Sequence, residues 1–364
     1  MADSLQAARL LSVAEAIREG LERALDEIPE AFVMGEGVTD PKGIFGTTTG
    51  LMDRFGKERV IETPISENAF TGIAVGACLL GQRPIIVHQR VEFMLLAMEQ
   101  LINNAAKLRY LTRGRQSVPM VIRLVIGRGW GQGPQHAQSL ESVFAAIPGL
   151  KVAMPSRAVD ARDMLMTGIR GGDPLVLLEH RWLHGVRGPV ADDVDPDVLS
   201  GPVVRREGED LTLVATSYMV LEALRAADAL AAVGITAEVI DLRVLRPLEL
   251  APIGESVRRT GRLVVIDTGH RTLGMGAEVV ATISERQLSH LKAPPRRLGL
   301  PDRPAASARS LAASFYPRAE EIAREAAEAL GMDTEDRLHV ERILDERREH
   351  RLVDVPDPSF QGPF

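Results

Sequence analysis

The chain has one cysteine, Cys78, in 364 residues, which excludes an internal disulfide. It has no excess of basic charge. Its 43 lysines and arginines stand against 50 aspartates and glutamates, a formal charge of -7, so no overall basic field for nucleic acid or anionic lipid is expected. Nor is there a long apolar run. The longest weakly polar stretch, Gly72 to Gly81, is glycine-rich and far short of the roughly 20 residues that span a bilayer. Asp3, Glu15 and Glu19 interrupt the first 22 residues, which do not read as a basic segment followed by an apolar export signal; a cytoplasmic protein is expected. What is present is 45% hydrophobic and 26% charged residues, the composition of a globular chain long enough for two domains.

The hydrophobic pattern alternates between two periods. Val13, Ile17, Leu21 and Leu25 recur every fourth residue between Ser12 and Asp26, predicting an amphipathic helix. Short apolar runs at Ala31–Met34, Pro84–Val87, Val118–Val125, Leu150–Met154 and Leu175–Leu178 predict strands. Between them, Glu67–Leu80, Phe93–Tyr110 and Ala158–Ile169 have helical period. Continuous apolar strands separated by helices predict an α/β domain whose parallel sheet is covered on both faces. From His184 to Pro202 prolines, glycines and acids predict a linker. A second α/β unit follows, with strands at Leu211–Ala215, Ala237–Asp241 and Arg262–Asp267, a helix at Met219–Ala231 and another after Gly276. The charged end, from Gly331 to Phe364, reads as a helical run over Glu335–Arg351 and a proline-containing tail, Pro356–Phe364, and is expected to be a peripheral arm.

Familiar short motifs fail. The glycines of Gly127-Arg-Gly-Trp-Gly-Gln-Gly133 do not reach dinucleotide spacing, and Gly274 with Gly276 fails likewise. No phosphate-loop lysine, paired-cysteine zinc site or nucleophile elbow occurs.

Longer segments carry a resemblance. Thr63-Pro-Ile-Ser-Glu67 with Gly72-Ile-Ala-Val-Gly76, then Asn103 to Tyr110, Gly133-Pro-Gln-His-Ala-Gln-Ser139 and Ile147 to Pro155, resemble in order the β subunits (E1β) of thiamine-diphosphate-dependent 2-oxoacid dehydrogenases. Asp241-Leu-Arg-Val-Leu-Arg-Pro247 and Asp267 to Gly274 resemble the transketolase C-terminal domain. The resemblance covers about residues 30 to 330. It implies a pyrimidine-binding domain over residues 1–185, a linker over 186–201, a transketolase C-terminal-like domain over 202–330 and an arm over 331–364.

The resemblance also implies roles. Glu67 falls at the glutamate that hydrogen-bonds the cofactor's pyrimidine ring; taken alone, it reads as a carboxylate stabilised by a helix N-terminus. Phe93 falls where a ring packs on the pyrimidine, and would equally serve as a core aromatic. His136 falls where a histidine faces the substrate, and Glu36 matches the first acid of a Gly-Glu-acid-Val element whose second acid is replaced by Gly37. The stretch His88-Gln89-Arg90 is more polar than the family usually shows. Gln89 and Arg90 are candidates for recognising a polar or anionic substrate group, with an interface ion pair as the equal alternative for Arg90.

The Gly-Asp-Gly element by which such enzymes hold the diphosphate through Mg²⁺ is absent. The resemblance therefore implies an α-type subunit holding Mg²⁺, an α2β2 assembly with a β–β contact, and a potassium ion on backbone near Gly168, Ile169, Gly171 and Asp173. The leading reading is oxidative decarboxylation of pyruvate or a related 2-oxoacid with acyl transfer to the lipoyl group of E2. The alternatives are a split transketolase-like enzyme passing a two-carbon unit to a carbonyl acceptor, and a non-catalytic scaffold subunit.

Overall fold

The computed structural model describes residues 9–128, 132–312 and 314–348. Its chain divides into two units. Of the described residues, the first holds 9–128 and 143–200, and the second holds 132–142 and those from 201 to 348.

In the first unit the strands Lys151–Ala153, Leu175–His180, Val121–Ile126, Arg83–His88, Ala31–Gly35 and Val60–Glu62 lie side by side in that order, all parallel. Val121–Ile126 and Leu175–His180 are buried along their whole length, as expected of central strands covered on both faces, and are apolar apart from Arg123, Glu179 and His180. The amphipathic helix forms over Val13–Glu27, where Ser12 and Glu15 close a reciprocal cap: the Glu15 amide donates to Ser12 Oγ at 3.2 Å, and the Ser12 amide to Glu15 Oε2 at 2.7 Å. It packs against the helix Ala158–Arg170. Arg162 is buried between them, donating to Glu19 at 3.2 Å, Asp163 at 2.7 Å and the Asp193 carbonyl at 2.7 Å.

The predicted helix from Phe93 to Tyr110 is broken into pieces. An α-turn over Val91–Met94 and a 3₁₀ turn over Leu95–Ala97 lead to a π-helical stretch over Gln100–Ala105, then an α-helix over Ala106–Leu111. The widened turn keeps Leu101 and Ala105 in the core while Asn104 Nδ2 donates to Gln100 Oε1 at 2.9 Å. Such a side-chain bond is invisible to hydrophobic period.

The second unit is a five-stranded sheet in the order Arg296–Leu300, Leu263–His270, Leu211–Ala215, Ala237–Asp241, Val203–Arg206. Only the last strand runs antiparallel to its neighbour. The edge strands Arg296–Leu300 and Val203–Arg206 were not legible, because a half-exposed edge needs no apolar run.

One segment departs from expectation. Part of the 186–201 stretch forms a strand, Arg187–Val190, paired antiparallel with Arg9–Ser12, and Val190 and Val198 are buried. The helical run expected in the arm forms over Thr334–Arg348, and it is docked: it buries Val340 and Leu344 and packs on the helices Ala319–Leu330 and Met219–Ala231. Two apolar side chains in four turns suffice to dock a helix on an existing surface. The rest of that arm, the first eight residues and Gly129–Gly131 of the glycine-rich stretch lie outside the described residues. Among the described residues no helix is long and apolar enough to cross a membrane.

Candidate active site

Three adjacent parallel strands of the first unit end together. Gly35 is in register with Glu62 on one side and with Val87 on the other, and the chain leaves each strand at that edge. The carboxyl ends of neighbouring parallel strands are where α/β sheets bind ligands, because the loops there open a crevice free of sheet side chains. The segments leaving this edge carry Glu36, Glu67, Gln89, Arg90 and Phe93.

Gly35 makes the close approach here. A Cβ at this position would lie 2.3 Å from the Val87 carbonyl oxygen, so the strands meet only because it has none. Gly37, which stands where the resemblance expects a second acid, has φ +73°, and a Cβ on it would lie 2.7 Å from Gln89 Nε2. That amide donates to the Glu36 carbonyl at 3.0 Å. Gln89 thus fixes the backbone of Glu36, and the acid-to-glycine departure follows from this bond. Glu62 completes the turn by accepting from the Gly37 amide at 2.6 Å and the Thr39 hydroxyl at 2.8 Å.

Glu67 opens the helix Glu67–Leu79 and is buried. Both sequence readings of this residue are therefore compatible: it stands at a helix N-terminus, and it is withdrawn from water. Glu36 shares its field. Burial raises the carboxyl pKa of Glu36, and the charges of Glu67 and then Glu62 push it further the same way. Several buried polar atoms nearby in sequence have no protein partner: Glu36 Oε1, Thr63 Oγ1, Thr71 Oγ1 and His88 Nε2. A buried polar atom left alone costs about 1–3 kcal/mol. A donor set of this kind suits a ligand whose ring carries both donors and acceptors, and the residues fit the pyrimidine half of thiamine diphosphate.

His88 is buried against the Phe70 ring at 5.1 Å, and burial pushes its pKa down to about 3, so it is neutral. Phe93 is half-buried and its amide donates to the Arg90 carbonyl at 3.2 Å. Arg90 is buried, donates from Nη1 to the Gly127 carbonyl at 2.6 Å and lies 5.6 Å from the centre of the Phe45 ring. Arg181 stacks on the same ring at 4.4 Å. His136 is exposed, on the 132–142 segment of the second unit, where its amide donates to the Gly133 carbonyl at 3.2 Å.

At the stretch expected to hold potassium, Gly168 and Ile169 close the helix Ala158–Arg170. Arg83 Nη1 donates to the Ile169 carbonyl at 2.6 Å and to the Gly171 carbonyl at 2.8 Å. Asp173 is ion-paired with Arg109 at 2.6 Å and faces Lys151 at 3.8 Å.

Sequence reasoning missed a layer of buried charge. Arg123, on the central strand, is bound twice by Glu179 at 2.5 and 2.9 Å and reaches Thr47 at 2.8 Å, with His184 3.6 Å from the same carboxylate. The signal was available: an arginine inside the apolar run Val118–Val125 demands a buried partner.

Comparison with known proteins decides the family. The pyrimidine-binding domain of transketolase matches residues 10–185 and the transketolase C-terminal domain matches residues 201–322. The rice mitochondrial pyruvate dehydrogenase E1 component subunit beta-2 is 41% identical over 327 residues, 89% of this chain and 87% of its own. The chain belongs to the E1 β-subunit family. The fruit-fly pyruvate dehydrogenase E1 β subunit is 40% identical over 331 residues, covering 89% of this chain and 90% of its own. The β subunit of the acetoin:2,6-dichlorophenolindophenol oxidoreductase of Cupriavidus necator is 34% identical over 333 residues, 89% of this chain and 98% of its own. A solved split-gene transketolase, an inactive β4 tetramer, has the same fold, with a TM-score of 0.68 at 22% identity over 88% of this chain and 99% of its own. The E1 β family is thiamine-diphosphate-dependent, and this chain is a β subunit of that enzyme class.

Proposed function

We propose that the chain is the β half of an E1 component that oxidatively decarboxylates pyruvate or a related 2-oxoacid and delivers the acyl group to a lipoyl-bearing E2. The observation that carries this reading is the buried Glu67 with the half-buried Glu36 in its field at the common carboxyl edge of three parallel strands. Bound thiamine diphosphate supplies the nucleophilic carbon and the electron sink. Glu67 would hydrogen-bond the pyrimidine ring and hold a proton at its nitrogen. Glu36 would line the cofactor, and the half-buried Phe93 would pack on the pyrimidine face. His136 would face the substrate as a proton donor and acceptor.

The diphosphate and its Mg²⁺ would be held mainly by an α-type subunit, since this chain has no Gly-Asp-Gly element. We place the chain in a cytoplasmic α2β2 assembly with a β–β contact. A potassium ion at Gly168–Asp173 would have to share the Ile169 and Gly171 carbonyls with Arg83, which their second lone pairs allow. Titration calorimetry tests the split site: tight binding of thiamine diphosphate with Mg²⁺ is expected for the co-expressed complex and not for this chain alone. Equal binding by the chain alone would overturn it.

A second reading, two-carbon transfer to a carbonyl acceptor without lipoate, is supported by the polar run His88-Gln89-Arg90. In both readings Arg90 would answer a polar or anionic substrate group. Arg90→Ala is then expected to raise KM about 10- to 100-fold, the loss of one charge-assisted hydrogen bond worth about 1.5–3 kcal/mol. An unchanged KM for every active substrate would end that assignment, and activity independent of a lipoyl domain would favour the second reading.

A further inference from the structure

His136 sits on a segment that leaves the first unit and packs with the second. What holds it there is not apolar contact alone. Glu141 follows it closely, completely buried, and accepts from Ser139 Oγ at 2.8 Å through Oε2. Its other oxygen, Oε1, meets no N–H or hydroxyl. That oxygen presses on the strand Leu263–His270, where a Cβ on Gly269 would lie 1.8 Å from it, and its carboxyl meets that of Asp267 on the same strand. Asp267 is buried as well. It accepts from Thr216 Oγ1 at 3.2 Å and from the amides of Gly269 and Gly276 at 3.3 and 3.1 Å.

The other groups on the pair are neutral hydroxyls and amides, and neither carboxyl is ion-paired with a basic side chain among the described residues. On the flanking elements, His270 bonds the Pro301 carbonyl and Glu278 accepts from Thr282. His136 is exposed. Two carboxylates in contact without a cation cannot both ionise, and two acceptors can bond only through a proton.

We infer that Glu141 and Asp267 share one proton, and that this bond clasps the 132–142 segment onto the strand Leu263–His270, making the pair the positioning residues for His136. The consequence for catalysis rests on the reading of His136 as a site residue; the clasp does not. Burial, then the neighbouring Asp267, pushes Glu141 up to about 8, and burial raises Asp267 too. Because the folded state keeps a proton that the unfolded chain releases near the ordinary carboxylate value, the clasp is complete at low pH and is lost as pH rises through about 8.

The test is hydrogen exchange on the full chain from pH 6 to 9.5, corrected for intrinsic exchange. Protection of residues 132–142 is expected to fall by up to about tenfold per pH unit as pH rises toward about 8 and to level off above it, where closed and open states are both deprotonated. Glu141→Gln should abolish that fall, because its amide donates to Asp267 at any pH. Asp267→Asn should do the same by donating to Glu141, and serves if the first variant does not fold. Identical pH profiles in wild type and variant would overturn the clasp. A clasp that behaves as expected while His136→Ala leaves turnover intact would instead overturn the role given to His136.

Discussion

Glu67→Gln is expected to lower kcat by roughly 10²–10⁴-fold, the span that a positioned proton-transfer group contributes, while leaving subunit assembly and KM little changed. The amide keeps the shape of the side chain at the start of the helix Glu67–Leu79, so packing of Phe70, Ala74 and Cys78 behind it should survive. On the proposed reading, it would lose the ability to hold a proton at the pyrimidine nitrogen. Steady-state rates of the reconstituted complex, with size-exclusion chromatography as the control for assembly, read the two effects separately. Full activity of the variant would reduce Glu67 to a helix-terminal carboxylate and bring the scaffold reading forward. The same experiment on Glu36→Gln should be milder. Burial and the charge of Glu67 already favour its neutral form, which the amide resembles.

The largest effect on stability is expected at Arg123 and Glu179. Both side chains are completely withdrawn from water, and their two-point contact is supplemented by Thr47 and His184. Burial alone would raise the Glu179 carboxyl, but the Arg123 charge and hydrogen bonds outweigh it and hold the group down at about 2. Removing one partner leaves the other buried and uncompensated, a loss of about 3–5 kcal/mol. Arg123→Met or Glu179→Gln should therefore lower Tm by roughly 6–20 °C for a unit of this size. The double substitution Arg123→Met with Glu179→Leu should recover much of it, since apolar side chains of similar volume need no desolvation. Additive losses in the double variant, measured by thermal unfolding, would contradict this account.

The acid dependence has a definite direction. The folded-state pKa of Glu179 lies below its ordinary value of 4.5, so the contribution is present above that pH and fades as pH falls toward 2. The Glu141–Asp267 pair acts in the opposite sense, losing its contribution as pH rises through about 8. Both contributions are complete only near the ordinary carboxylate value of 4.5, and each declines away from it in its own direction.

The order of strands and helices, and with it the two-part α/β architecture, was determined by the sequence alone. Val121–Ile126 and Leu175–His180 are buried along their whole length and apolar but for Arg123, Glu179 and His180, because both faces of a parallel sheet are covered. The ordered motifs around Glu67, His136 and Asp267 carried the family, because chemistry at a cofactor demands particular residue types at particular spacings. Tertiary structure alone decided the rest. Which polar atoms meet across a buried space depends on chain segments far apart in sequence: Arg123 with Glu179, Gln89 with the Glu36 carbonyl, Glu141 with Asp267. The half-exposed strands Val203–Arg206 and Arg296–Leu300, and the docking of the helix Thr334–Arg348, likewise depend on surfaces that exist only once the core has formed. Local period records which face a segment buries, and holds no record of what that face will meet.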